Sequence, residues 1–167
     1  QYFEGYVALA RAVKTGFILE SVTWRASADW GEKMGYSRQD LAALNRKSIE
    51  ILEQLRDRHE TEDMPMVISG CVGPRGDGYR VDRRMTVEEA RVYHGSQIEA
   101  FRDADADMVS AITMNYVEEA IGKYKAALSE RDRLILRLRF EDGLSQAEIG
   151  ERVGLSQMQV SRLLAQS

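Results

Sequence analysis

Gln157, Met158, Gln159, Ser161 and Arg162 lie within one short stretch near the C-terminus, and their types are those that read base-pair edges. Gln and Arg side chains make paired hydrogen bonds to adenine and guanine in the major groove, and a methionine can touch a thymine methyl. Upstream, Ser145 and Gln146 open another helix, whose free amides offer a place for a phosphate. Other chemistry-bearing residues form weaker patterns. Gly73, Gly76 and Gly78 fit neither the dinucleotide nor the P-loop glycine spacing and read as a turn. His59 falls at a polar helix end and His94 on a helix face, neither with a Ser or Cys partner that suggests a triad. Glu118-Glu119 reads as a solvated helix start, and Arg83-Arg84 as a solvated loop. Cys71, the sole cysteine, excludes an internal disulfide or a cysteine-rich metal site and reads as a packed residue.

The elements that must position the C-terminal set are two short helices. Ile149 and Val153 lie one helical turn apart, and Val160 and Leu163 share a face of the next helix. Ser145-Gln-Ala-Glu148 and Ser156-Gln-Met-Gln159 are capping boxes, in which side chain and backbone satisfy each other's unpaired donors. Gly154 suits the left-handed residue that ends the first helix, and Gly150 permits close approach of the second. Capped helices around a glycine turn form a helix-turn-helix pattern, against the plainer alternative of an ordinary helical hairpin.

The segments LSERDRLILRLRF, GLSQAEIGERVG and SQMQVSRLL resemble, end to end over roughly 40 residues, region four of bacterial sigma factors, nearest those of stress and sporulation. Response-regulator domains share the opening LSxRE and GLSxxEIA, but their second helix usually reads TVKxH. The sigma resemblance implies reading of a −35-type promoter element and docking to RNA polymerase. It places Gln157, Met158 and Arg162 at base contacts and Ser145, Gln146, Gln159 and Ser161 near the DNA backbone. Ser161 stands where some members carry a basic residue, which implies weaker phosphate affinity.

Residues 1–121 alternate helical and strand patterns. Phe3–Val13 predicts an amphipathic helix, Phe17–Trp24 a strand, and Ser37 to about Arg58 a long helix with Leu41, Leu44, Ile51 and Leu55 on one stripe. Pro65–Gly70 predicts an edge-entered strand, Thr86-Val-Glu-Glu89 caps a helix through about Arg102, and Asp107–Met114 predicts a third strand before a helix near Val117. Short connections between alternating elements imply parallel strands with crossover helices: three βα units of a partial barrel, too few to close one.

GFILESVTWRASADWGEKMGYS, VISGCVGPRGDGY, MTVEEARVYHGSQIEAF and ADMVSAITMNYVEEAIG resemble the homocysteine S-methyltransferases over about residues 1–122. Members are zinc-dependent barrels that methylate the homocysteine sulfur, and the likeness corresponds to their second through fourth units. It implies vestigial substrate contacts at Thr23 and Trp24. The family's late zinc-binding cysteines and its first strand have no counterpart, Cys71 does not match the zinc ligands, and Ile112 occupies the position of a substrate-binding Glu. The expectation is therefore no catalytic residue, no metal and no cofactor.

Composition agrees with a folded chain: 44% hydrophobic and 30% charged residues, without an apolar run near the length of a membrane span. The net charge of −4 is uneven. From Gly122 onward eight Lys/Arg oppose six Asp/Glu, whereas up to Ile121 fifteen oppose twenty-one. The modest positive excess predicts weak duplex binding by this portion alone. A start at Gln1 reads as a processed or excised segment, and the lone cysteine as a cytoplasmic protein. Together the patterns predict an α/β segment (1–122) fused to an all-α helix-turn-helix domain (123–167), whether a natural fusion or a recombined chimera. An incomplete barrel exposes apolar surface, which predicts self-association.

Overall fold

The computed structural model describes residues 2–81 and 83–166, and it divides into two compact units, Gln1–Tyr124 and Lys125–Ser167. The first contains α1 (Glu4–Val13), β1 (Phe17–Glu20), α2 (Ala28–Lys33), α3 (Arg38–His59), β2 (Met66–Val72), α4 (Val87–Arg102), β3 (Met108–Ala111) and most of α5 (Val117–Ala127). The second contains α6 (Glu130–Phe140), α7 (Gln146–Val153) and α8 (Gln157–Gln166). Among the described residues no helix is long and apolar enough to cross a membrane.

The sheet is parallel in the order β1-β2-β3, as the alternating pattern implies. β1 and β3 are shorter than the apolar runs suggest. β1 stops at Glu20 because side chains take over from its backbone: Ser21 Oγ accepts the Cys71 amide at 2.8 Å and Thr23 Oγ1 donates to the Cys71 carbonyl at 2.8 Å. β3 ends at Ala111, before Thr113, which adopts a left-handed φ of 57°. β2 runs two residues beyond the expected Gly70, to Val72.

The long helix begins where predicted, with Ser37 and Asp40 forming its capping box. Its buried stripe differs: Asn45, Ile49, Leu52 and Leu55 face inward, while Leu44 and Ile51 are about half exposed. Asn45 belongs inside because its amide bridges the carbonyls of Ala26 and Leu41 and its oxygen accepts from Gln97. Leu41 is one turn away in the same helix, but Ala26 and Gln97 lie far along the chain, and α2, which follows Ala26, carries no strong sequence signal. On the sheet face opposite the helices, pairing and alternation place Ile18, Val67, Met108 and Ile112, which are 56%, 38%, 41% and 40% exposed.

Candidate functional site

Each helix of the second unit is fixed by its own short-range signals. Ser129 caps α6 by accepting the Asp132 amide, and Arg139 donates to the Leu144 carbonyl at 3.0 Å, tying the α6–α7 loop. Ser145 and Glu148 form the predicted capping box of α7, and Ser156 with Gln159 forms that of α8. Gly154 ends α7 with φ 71° and ψ 32°, a left-handed conformation costly for a residue with a Cβ. A Cβ on Gly150 would stand 2.5 Å from the Leu155 carbonyl oxygen, so its small size admits the turn itself. Ile135, Leu138, Ile149 and Val160 form the core, flanked by Leu144, Val153, Leu155, Leu163 and Leu164.

That packing turns the rest of α8 outward. Gln157, Met158, Gln159, Ser161 and Arg162 are exposed, Met158 at 76%. Val160 and Leu163 hold the helix from the opposite side. Gln159 is partly committed: its Oε1 accepts from the Ser156 amide at 2.9 Å and the Ser156 hydroxyl at 3.0 Å. Only its NH2 end remains to donate, which suits a phosphate and not the paired bonds that adenine requires. Arg162 has no ion-pair partner among the described residues.

At the start of α7, Ser145 is exposed and Gln146 half-buried. The capping box occupies the amides of Ser145 and Glu148, and the bonds from Ser145 hold the Glu148 carboxyl below its ordinary range. An anion at this end would meet Gln146 and the Ala147 amide. The unit's field is weak: seven Lys/Arg face six Asp/Glu over 125–167, and Arg133–Glu130 at 2.6 Å and Lys125–Glu141 at 3.8 Å neutralise part of it.

In the first unit, Thr23 is buried and spends its hydroxyl on Ser21 and the Cys71 carbonyl. Trp24 donates its indole N–H to Thr113 Oγ1 at 2.9 Å. The residues do not fit a zinc ion. Among the described residues no three His, Cys, Asp or Glu side chains cluster, and burial pushes the Cys71 thiol up to about 11, away from the thiolate zinc needs. The Gly73–Tyr79 segment is a loop with Gly76 at φ 78°, and Arg84 lies over the Tyr116 ring at 5.7 Å.

Glu119 overturns the expectation of a solvated pair. Glu118 is exposed, but Glu119 is fully buried and accepts from His94 at 2.9 Å and the Arg75 amide at 2.6 Å. His94, expected merely on a helix face, is also fully buried. Lys123 completes the group by donating to the Gly73 carbonyl. The i,i+4 spacing of Glu119 and Lys123 was visible, but it marks solvated faces equally well.

Comparison with known proteins finds two kinds of likeness. The family model for homocysteine S-methyltransferases matches residues 5–161. The Escherichia coli homocysteine S-methyltransferase is 32% identical over 104 residues, which are 56% of this chain and 34% of that protein. The RNA polymerase sigma factor SigF of Mycobacterium tuberculosis is 44% identical over 68 residues, 41% of this chain and 26% of that protein. The RNA polymerase sigma-G factor of Clostridium acetobutylicum is 38% identical over 72 residues, 43% of this chain and 25% of that one. The chain thus spans about a quarter of each sigma factor's length. In fold it is similar to the metallated homocysteine methyltransferase crystal structure from Escherichia coli, with a TM-score of 0.59 and 21% identity, covering 82% of this chain and 47% of that one.

Proposed function

The chain belongs to the homocysteine S-methyltransferase family, and we propose that it joins part of such a barrel to a helix-turn-helix that reads promoter-type duplex DNA. The observation that carries the proposal is the outward face of α8. Gln157, Met158 and Arg162 stand exposed on a helix whose other side is held by Val160 and Leu163. Sigma factors at 44% and 38% identity support a transcription-initiation role with RNA polymerase as partner. In this reading Gln157, Met158 and Arg162 contact bases, while Gln146, Gln159, Ser145 and Ser161 lie along phosphates. Fluorescence anisotropy of the full chain on promoter and scrambled duplexes tests it. Tighter promoter binding, weakened by Arg162→Ala, supports specific readout; equal affinities refute it.

Family membership favours a second reading, methyl transfer to homocysteine. The donor set around Cys71 does not fit the family's zinc, so the expected outcome is no methyl transfer and no stoichiometric zinc. Turnover with bound zinc would reverse the order of the two readings. The exposed sheet face at Ile18, Val67, Met108 and Ile112 supports self-association of the chain.

A further inference from the structure

α4 and α5 meet closely at Ala90 and Gly122, where any Cβ on Gly122 would collide with that of Ala90. Beside this contact lies a polar group closed to solvent: His94 and Glu119 are 0% exposed and Lys123 2%. Glu119 Oε1 accepts both the imidazole at 2.9 Å and the Arg75 amide at 2.6 Å, while Lys123 donates to Gly73 and reaches Met114 Sδ at 3.0 Å. Two α5 side chains one turn apart therefore hold both ends of the Gly73–Arg75 backbone. The Gly73 amide in turn donates to the Trp24 carbonyl at 3.2 Å.

We propose that His94 and Glu119 form an acid-sensitive latch pinning α5 and the β2–α4 loop onto α4. Facing a carboxylate, His94 places its proton on Nε2, and Nδ1 has no partner among the described residues. Protonation would add a buried donor without an acceptor. It would also add a cation beside Lys123 of α5 and Arg75 of the loop, against the single charge of Glu119. Asp29 of α2 already serves Arg75 at 2.8 Å, Tyr93 of α4 packs edge-on against the imidazole, and Cys71 of β2 is held neutral by burial. Burial first, then Lys123 and Arg75, lowers the imidazole to about 4, although Glu119 opposes them. Acidification therefore favours conformations in which His94 reaches water.

NMR on the full chain tests this, with His59→Asn assigning the two imidazole signals. The His94 signal should stay that of a neutral ring from pH 7.5 to 5. Over pH 7 to 5, hydrogen-exchange protection of the Arg75 amide, corrected for intrinsic rates, should fall about twentyfold relative to the Ile149 amide of the second unit, which contains no histidine. His94→Gln should flatten that dependence. A His94 imidazole titrating near its ordinary 6.5 in the folded wild type overturns the latch, as does a wild-type Arg75 amide whose relative protection does not change. The wild-type measurements decide even if His94→Gln fails to fold.

Discussion

The second unit buries an aliphatic cluster under three short helices, whereas the first buries Asn45, Ser69, His94, Gln97, Glu119 and Lys123 among its aliphatic side chains. The difference follows from how each is assembled. Helices capped by their own serines need from tertiary structure only an apolar stripe. A parallel sheet with crossover helices leaves loop backbone at the strand ends, and buried side chains from distant elements must satisfy it. One unit is thus specified by neighbours in sequence and the other by neighbours in space.

Ile149→Ala should separate the behaviour of the two units most. It should cost the second unit about 2–5 kcal/mol by the cavity it leaves. Trp24 and Trp30 both lie in the first unit, so their fluorescence transition should hardly move, while the part of the helical circular-dichroism change that comes from α6–α8 shifts to lower denaturant. A joint shift of both would show that the units unfold as one.

Acid should act oppositely. The folded His94 lies near 4, below its ordinary 6.5, so the unfolded chain binds the extra proton between those values and stability is lost as pH falls. Glu119, also held low, works in the same direction. The tryptophan transition should lose about 2 kcal/mol between pH 7 and 5. The helical unit contains no histidine and should change less over that range. Ser145→Ala should cost the second unit about 1 kcal/mol through loss of the α7 capping box, read from its thermal transition. The smallest effect should appear in sedimentation velocity, where the exposed sheet face predicts a weight-average coefficient that rises with concentration; a constant monomer value contradicts it.

Legibility in the sequence divides along the same line. The capping boxes at Thr86, Ser145 and Ser156, the helix start at Ser37, the turn at Gly154 and the outward α8 residues were all readable, because each signal lies within four residues of its partner. The parallel sheet was readable from alternating elements. The end of β1 was not: Phe17–Trp24 is uniformly strand-like, and only the Ser21 and Thr23 bonds to Cys71, some 50 residues away, show why pairing stops. The inward turn of Asn45 and the burial of Glu119 escaped for the same reason. Polar residues at helical spacing normally mark solvent, and their partners in α4 and the β2–α4 loop are invisible locally. Of the candidate DNA-facing set, sequence supplied the residues, but only the structure shows that Gln159 has one end of its amide tied to Ser156.

Recognition of duplex DNA by α8 is proposed to rest on Gln157, Met158 and Arg162. Its most direct measurement is the affinity of the full chain for a −35-type promoter duplex and a scrambled one across a salt series, with Arg162→Ala beside wild type. Binding should be tighter to the promoter duplex, Arg162→Ala should cost about 1–3 kcal/mol for that duplex only, and salt should weaken binding to both. Equal affinities for the two duplexes, unchanged by the substitution, would contradict it.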